Sequence, residues 1–322
     1  MCEQNVQEVL CDKAKNGRER PWREKRVATE YTALAYDEVN ERKALRLRDC
    51  GCYLDFKPMI DGGLKLMRAN FCRVRLCPMC MWRRGLKVFA QTMAIMQELE
   101  RERKCGYVLL TLTVRNCVGD ELSATLDEMT EGWNRLTKYK RVGKAAKGWM
   151  RITEITHNLD NDTYHPHFHA ILAVPLNYFA QGYISQADWT SMWQKAAGLD
   201  YKPIVHVKRV KVDTTKTMAK AVAEVAKYAV KDKDYIVPRD WELTVQTIGV
   251  LDAALHKRRL VAYGGKCREI HKRLHLDDAE DGDLVNVGDD STPIEPGAEE
   301  ISYSWSIGYQ QYFRRVRKPE GV

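Results

Sequence analysis

Residues 165–174 constrain the fold of this chain more than any other stretch. They read His-Pro-His-Phe-His-Ala-Ile-Leu-Ala-Val, an apolar run that opens with three histidines at alternate positions. Successive side chains of a β-strand point to opposite faces, so His165, His167 and His169 would share one face and Phe168 the other. Neighbouring imidazoles on a rigid strand are suited to bind a metal ion. We therefore predict a strand that carries a metal site, with a surface strand that happens to be rich in histidine as the alternative.

A second stretch, residues 216–231, has the spacing of an amphipathic helix. Its apolar stripe consists of Met218, Val222, Val225, Ala226 and Ala229. Because residues four apart share a helix face, Glu224 and Tyr228 are expected side by side on the polar face. That face also carries Lys220, Lys227 and Lys231. A tyrosine hydroxyl, with a pKa of about 10, can act as a nucleophile near neutral pH when cations and a metal-bound electrophile surround it. The alternative is a solvated helix face that contains one tyrosine.

The cysteines predict a second metal site. Three of the ten cysteines, Cys72, Cys77 and Cys80, follow one another with four and two intervening residues. Structural zinc takes four thiolate or imidazole ligands, and Cys50 or Cys52 could supply the fourth. Buried free thiols are the alternative. The basic residues near this cluster could contact phosphate or could be solvated: Arg73, Arg75, Arg83, Arg84 and Lys87.

The charge of the chain favours a polyanionic partner. The net charge is +8, but residues 277–300 hold ten acidic side chains and no Lys or Arg, so the first 276 residues carry +15. Such a field suits nucleic acid. The sequence has no apolar run of membrane-spanning length and no apolar signal region after Met1, so we expect a cytoplasmic protein without membrane contact.

The order of predicted elements defines the expected fold class. Strands are predicted at 107–114, 149–156, 167–174 and 204–212, and helices at 122–139 and 185–197. This order, β-α-β-β-α-β followed by the tyrosine-bearing helix, predicts an α+β fold with a ferredoxin- or RRM-like antiparallel sheet. Helices would cover one face, and the histidines would lie on the open face. Glu154, on the strand before the histidine strand, is the leading candidate for a third metal ligand.

Four motifs, and the order in which they follow one another along the chain, resemble the rolling-circle plasmid replication initiators (Rep proteins) of the HUH endonuclease superfamily. His167-Phe168-His169 matches the His-hydrophobic-His pair of that superfamily, and Glu224 with Tyr228 matches its tyrosine helix. Residues 108–113 resemble its first strand motif, and residues 72–80 resemble the cysteine cluster of one plasmid branch. The resemblance extends from about residue 49 to residue 235 and weakens beyond it.

The resemblance implies a role for each motif. Tyr228 would attack DNA and form a 5′-phosphotyrosyl link, and Glu224 would activate the nucleophile at termination. A catalytic Mn²⁺ or Mg²⁺ would be bound by His167, His169 and Glu154. A structural Zn²⁺ would be bound by Cys50, Cys72, Cys77 and Cys80, with Cys52 as the substitute for Cys50. DNA would be contacted by Lys227, Lys231, Arg73 and Arg75.

Composition and the predicted elements give the expected organisation, and the resemblance gives the expected partners. The segments would be a mobile basic arm at 1–27, a zinc-binding segment and helix at 28–104, a nuclease core at 105–235 and a C-terminal extension at 236–322. The acidic segment 277–300 would be a loop, and the aromatic residues 301–313 a docked strand or helix, with a base-stacking surface as the weaker interpretation. The partners would be the plasmid origin, as single-stranded or hairpin DNA, with a host helicase and DNA polymerase, and an oligomer is left open.

Two other classes of protein remain as alternatives. One is another HUH enzyme, either a conjugative relaxase or a single-tyrosine transposase. Relaxases usually place the tyrosine before the histidines, and the cysteine cluster disfavours a transposase. The other is a non-enzymatic zinc-containing DNA-binding regulator, which would need the cysteines and the basic charge but neither the histidine triplet nor Tyr228.

Overall fold

A computed structural model describes residues 8–211, 214–226, 230–237, 239–288 and 292–315. Its helices are α1 (Trp22–Val39), α2 (Glu41–Asp49), α3 (Pro78–Glu102), α4 (Leu122–Leu136), α5 (Lys140–Ala145), α6 (Gln186–Ala197), α7 (Thr215–Val225), α8 (Trp241–Ala254) and α9 (Lys266–Arg273). Its strands are β1 (Tyr53–Pro58), β2 (Leu64–Ala69), β3 (Cys105–Thr113), β4 (Gly148–Asn158), β5 (Thr163–Pro175), β6 (Val205–Val210), β7 (Val261–Gly265), β8 (Ile301–Ser306) and β9 (Gln311–Arg314).

The chain divides into two compact units, each with its own antiparallel sheet. The first comprises Met1–Arg83 and Asp283–Val322, with the strand order β2-β1-β8-β9. The second comprises Arg84–Gly282, with the order β6-β3-β5-β4-β7. The predicted α+β class with antiparallel pairing is thereby confirmed. The predicted four-segment division stays a prediction, although it did not anticipate that β8 and β9 join the sheet of the cysteine-rich segment.

The first unit buries one face of its four-stranded sheet. Leu54 and Phe56 of β1 are fully buried, and the ring of Trp22 meets that of Phe56 edge to face at 5.7 Å. The indole nitrogen of Trp22 donates a hydrogen bond of 2.7 Å to Asp12. Residues 22–27, which the predicted arm 1–27 includes, form the first turns of α1.

In the second unit both faces of the sheet are covered. One face packs under α4 and α6, around Trp133, Phe168 and Trp193. The other face, which carries the histidines, is covered beyond His169 by apolar residues of α3, α7 and α9. The expectation of helices on one face only is therefore wrong. The reason lies in β5 itself, because Ile171 and Ala173 follow the histidines on the same face and need apolar cover.

Several predicted element boundaries shift, and one shift matters for the site. The helix expected at 216–231 ends at Val225, and Lys231 instead precedes a short 3₁₀ turn, Asp232–Asp234. Asp234 accepts the backbone N–H of Lys231 at 3.2 Å, which fixes the chain there in a turn. Lys227 and Tyr228 lie outside the described residues, so their predicted placement is not addressed. The Ser185 cap predicted for the helix at 185–197 is confirmed, because Ser185 and Asp188 form a reciprocal capping box.

The remaining segments follow their predictions more closely. The residues predicted as a docked strand or helix form the hairpin of β8 and β9, and β8 pairs with β1. No helix or strand is assigned to the described part of the acidic segment, 277–288 and 292–300. Within the part of the chain that the structure describes, none of the helices has the length and apolar character needed to cross a membrane.

Candidate functional site

Two neighbouring strands of the second unit bring Glu154, His167 and His169 together. Glu154 of β4 is the register partner of His167 on β5. The Glu154 Oε2 atom lies 3.1 Å from His169 Nε2 and 3.6 Å from His167 Nε2, and the two Nε2 atoms lie 3.1 Å apart. Two imidazole nitrogens and one carboxylate oxygen therefore converge on one point above the sheet.

The spacing of these three atoms fits one divalent ion. Ligands bound at about 2.1 Å with angles near 90–110° lie about 3.0–3.5 Å from one another, which matches the observed separations. The donor set suits Mn²⁺, Co²⁺ or Zn²⁺ better than Mg²⁺, because two of the three ligands are imidazoles.

Hydrogen bonds on the far side of each imidazole direct its Nε2 atom toward this point. His167 Nδ1 lies 3.1 Å from the carbonyl oxygen of His165, which can only accept, so Nδ1 carries a proton and Nε2 is the nitrogen that would give up its proton and ligate a metal ion. His169 Nδ1 lies 3.1 Å from the hydroxyl of Thr111, its register partner on β3. The sequence reasoning missed Thr111, because only the strand register shows which β3 residue faces His169.

Glu154 is held in the charged form that a metal ligand requires. Burial raises the pKa of this carboxyl, but hydrogen bonds from His167, His169 and Lys231 lower it further, so its pKa lies below the usual value. Lys231 Nζ lies 2.9 Å from Glu154 Oε1, and this hydrogen bond raises the pKa of Lys231. Lys231 was predicted as a DNA contact, and its ammonium group lies beside the candidate metal site with 38% of the side chain exposed.

Other residues predicted near this site lie apart from the cluster. His165 Nδ1 pairs with Asn116 Oδ1 at 2.8 Å, and His165 is outside the group of converging ligands. Glu224 lies on α7 with 47% of its side chain exposed, 3.5 Å from Lys208 Nζ of β6. Its relation to Tyr228 is outside what the structure describes.

The first unit contains the second cluster, formed by Cys50, Cys72, Cys77 and Cys80. Cys50 Sγ lies 3.5 Å from both Cys77 Sγ and Cys80 Sγ, and Cys72 Sγ lies 3.7 Å from Cys80 Sγ. Four sulfurs around a tetrahedral zinc ion, with bonds of about 2.3 Å, lie about 3.7 Å apart, so the cluster fits that ion. Burial raises the pKa of the Cys50 thiol, and a bound cation would offset the cost of four buried thiolates.

Local structure explains why Cys50 rather than Cys52 joins the cluster. Cys50 is the C-terminal cap of α2, and its sulfur accepts the backbone N–H of Cys72 at 3.3 Å. Cys52 Sγ instead donates to the carbonyl oxygen of Arg48 at 3.1 Å and accepts from Arg26 at 3.3 Å. Between the two predicted candidates, the structure thus brings Cys50 to the other three cysteines.

Three of the basic residues considered as phosphate contacts are buried. Arg83 donates to the carbonyl oxygens of Leu284 and Val285 at 2.9 and 2.8 Å. Arg84 donates to the carbonyl oxygen of Glu280 at 3.0 Å, and Lys87 pairs with Asp277. Both interpretations of these three residues, phosphate contact and solvated surface, are therefore wrong. Arg73 is exposed and Arg75 partly exposed.

The fold and the two clusters define a mixed α+β protein with two candidate metal centres. Residues 63–313 match the Rep_1 family, described as replication protein. Protein rep of Bacillus amyloliquefaciens is 42% identical over 96% of this chain and 98% of its own length. Protein rep of Streptococcus pneumoniae is 37% identical over 96% of this chain and 97% of its own length. A Protein rep from a Bacillus species is 47% identical over 76% of this chain and 85% of its own length. No solved structure matches. The chain belongs to the Rep_1 family of replication proteins, which confirms the resemblance to replication initiators at the level of the family.

Proposed function

We propose that this protein nicks and rejoins plasmid DNA at an origin and thereby initiates and terminates rolling-circle replication. Family membership supports a role in replication initiation. The convergence of Glu154, His167 and His169, with the carboxylate held ionised, is the observation that carries the nuclease assignment. The order β6-β3-β5-β4, with helical connections between β3 and β4 and between β5 and β6, supports the ferredoxin-like assignment of the core.

The metal ligands and Tyr228 have separate roles in the proposed reaction. A divalent ion held by Glu154, His167 and His169 would polarise the scissile phosphate and offset its developing charge. The Tyr228 hydroxyl loses its proton as its oxygen attacks phosphorus, the bond from phosphorus to the 3′-oxygen breaks, and the freed 3′-oxygen takes up a proton to become a hydroxyl. The DNA is left joined to Tyr228 through its 5′-phosphate. Because one phosphodiester replaces another, the reverse reaction rejoins the strand without ATP.

Two further groups take part in this proposal. Lys231, whose Nζ lies 2.9 Å from Glu154 Oε1, would contact a phosphate oxygen at the metal centre. Glu224 takes the proton from the water or hydroxyl that resolves the tyrosyl adduct at termination. The role of Glu224 comes from the family resemblance, and its exposure to solvent is compatible with proton exchange.

The cysteine cluster would hold a structural zinc ion that stabilises the first unit. Lys227, Arg73 and Arg75 would contact the phosphates of origin DNA, presented as a single strand or a hairpin. The released 3′-hydroxyl would then prime a host DNA polymerase, with a host helicase that opens the duplex. All of this would take place in the cytoplasm, where plasmid DNA is replicated.

Cleavage of a single-stranded oligonucleotide that carries the origin tests the proposal. With Mn²⁺, the wild-type protein should yield a covalent protein–DNA adduct on a denaturing gel. Tyr228→Phe should form no adduct but should bind the oligonucleotide with nearly unchanged affinity, since affinity comes mainly from cations on phosphates. His169→Ala should lose both cleavage and Mn²⁺ affinity. Tyr183→Phe, at a tyrosine that is 49% exposed, is the matched control and should cleave normally.

The outcomes also separate the alternatives. A zinc-containing regulator would bind the origin and form no adduct with any metal. Normal adduct formation by Tyr228→Phe would transfer the nucleophilic role to another residue. Tyr235, the next tyrosine, is only 1% exposed and is poorly placed to reach DNA.

A further inference from the structure

The sheet of the first unit has one buried face and one accessible face. Leu54, Phe56, Tyr303 and Tyr312 fill the buried face, each at most 3% exposed. Since side chains alternate along a strand, their neighbours point the other way. We name this accessible side the outer face; it is formed by Tyr53, Asp55, Lys57, Ser302, Ser304, Phe313 and Arg315.

Aromatic rings flank a row of small hydroxyl side chains on the outer face. Tyr53 of β1 is the register partner of Ser304 on β8, and Ser304 is that of Phe313 on β9. Neighbouring strands lie about 4.8 Å apart, so the two aromatic positions are about 10 Å apart with only a serine between them. Tyr53 is 52% exposed. The two rings thus lie on either side of a sheet surface that carries only small side chains, and the serine hydroxyls there can donate and accept hydrogen bonds.

The charge on the outer face favours an anion. The Arg315 guanidinium lies 5.2 Å from the centre of the Tyr53 ring. The carboxylates of Asp55, on this face, and of Glu300, just before β8, both pair with Arg68. Among the described residues, no carboxylate lies within ion-pair distance of Lys57 or Arg315. Two cations thus accompany the aromatic rings, and no carboxylate among the described residues pairs with either.

Aromatic side chains and cations on an open sheet suit a nucleic acid whose bases are unpaired. Each base can stack on a ring in a sequence-tolerant manner while its phosphates contact Lys or Arg. A duplex has no free base faces for such stacking. A replication protein that nicks an origin also meets single-stranded DNA there, and only this choice of DNA rests on the proposed function. We propose that the outer face binds single-stranded DNA, with bases stacked on Tyr53 and Phe313 and phosphates bound by Lys57 and Arg315.

Fluorescence anisotropy of labelled oligothymidylate with the full-length protein tests this proposal. Tyr53→Ile and Phe313→Ile keep a strand-forming apolar residue but remove the π-face, and each should weaken binding about 5- to 100-fold. Tyr53→Phe should bind like wild type. Tyr31→Leu is the matched control, because Tyr31 on α1 is equally exposed, at 53%, and lies outside the sheet. Arg315→Gln should make the slope of log affinity against log salt concentration less steep by about 0.7.

Each outcome decides for or against the proposal. Equal affinities of Tyr53→Ile and Tyr31→Leu, with unchanged circular dichroism for both, would overturn it. If the protein binds oligouridylate more tightly than oligothymidylate, the outer face binds single-stranded RNA and not DNA, which contradicts the proposal. Unchanged oligonucleotide binding together with a change in oligomeric state would assign the face to a protein contact. If the protein shows no nicking but its oligonucleotide affinity still depends on Tyr53 and Phe313, the proposed binding surface is supported and the proposed nicking activity is refuted.

Discussion

Two carboxylates of the second unit lie in opposite surroundings, and this suits them to different tasks. Glu154 is 5% exposed and contacts two imidazoles and one ammonium group, which keep it ionised. Glu224 is nearly half exposed, and its contact with Lys208 is long, at 3.5 Å. A buried, ionised carboxylate is suited to hold a cation, whereas an accessible one can take a proton from water and return it to solvent.

For Glu224, the expected effect is on adduct resolution rather than on nicking. Glu224→Gln should nick at a rate near wild type, because initiation needs Tyr228 and the metal centre. Its phosphotyrosyl adduct should persist at least about tenfold longer, since an amide cannot accept the proton of the resolving water. The measurement is a time course of adduct loss on denaturing gels after excess unlabelled DNA is added.

Lys208→Met provides the control for this experiment. It removes the cation that pairs with Glu224 and leaves the carboxylate in place. If Glu224 only forms an exposed ion pair, both variants should behave like wild type, because such pairs contribute about 0–1 kcal/mol. Equal adduct lifetimes for Glu224→Gln, Lys208→Met and wild type would show that Glu224 only forms an exposed ion pair and does not resolve the adduct.

At the scale of elements, the cysteine cluster joins the end of α2, the loop before α3 and the first turn of α3. Cys50→Ser should reduce bound zinc from about one equivalent to well below one, and should lower the melting temperature of the first unit, because metal-binding energy contributes to folding. Cys52→Ser should retain zinc, since Cys52 bonds to Arg48 and Arg26 instead. Elemental analysis after dialysis, followed by thermal unfolding, checks both. Full zinc occupancy in Cys50→Ser would contradict the assignment.

The elements also show what the sequence could predict. Alternation alone predicted β5 and the shared face of its histidines, because period-two patterning is a local property. The cap at Ser185 was likewise readable from the residues of one turn. The contact of Lys231 with Glu154 was not, because the two residues lie 77 positions apart in sequence. The pairing of β1 with β8 and the contact of Thr111 with His169 depend on tertiary register in the same way.

At the scale of the whole molecule, the basic charge is unevenly available to a partner. The net charge is +8, yet Arg83, Arg84 and Lys87 are 2%, 7% and 3% exposed. They bind backbone oxygens and a carboxylate within residues 277–285. Part of the acidic segment thus serves as an internal partner for buried cations. Counting basic residues in the sequence therefore overstates the number that can contact DNA.

The dependence of DNA affinity on salt distinguishes buried from accessible arginines. Each phosphate neutralised by a protein cation contributes about −0.7 to the slope of log affinity against log salt for a single strand. Arg73→Gln, at an exposed arginine, should make the slope less steep by about that amount and leave stability unchanged. Arg84→Gln should leave the slope unchanged. It should lower the free energy of unfolding by about 1–3 kcal/mol, because the buried carbonyl oxygen of Glu280 loses its donor. Anisotropy titrations over a range of NaCl, with urea unfolding of both variants, provide the measurement. A shallower slope for Arg84→Gln with unchanged stability would mean that Arg84 contacts DNA in the complex and that residues 277–285 move away from it on binding.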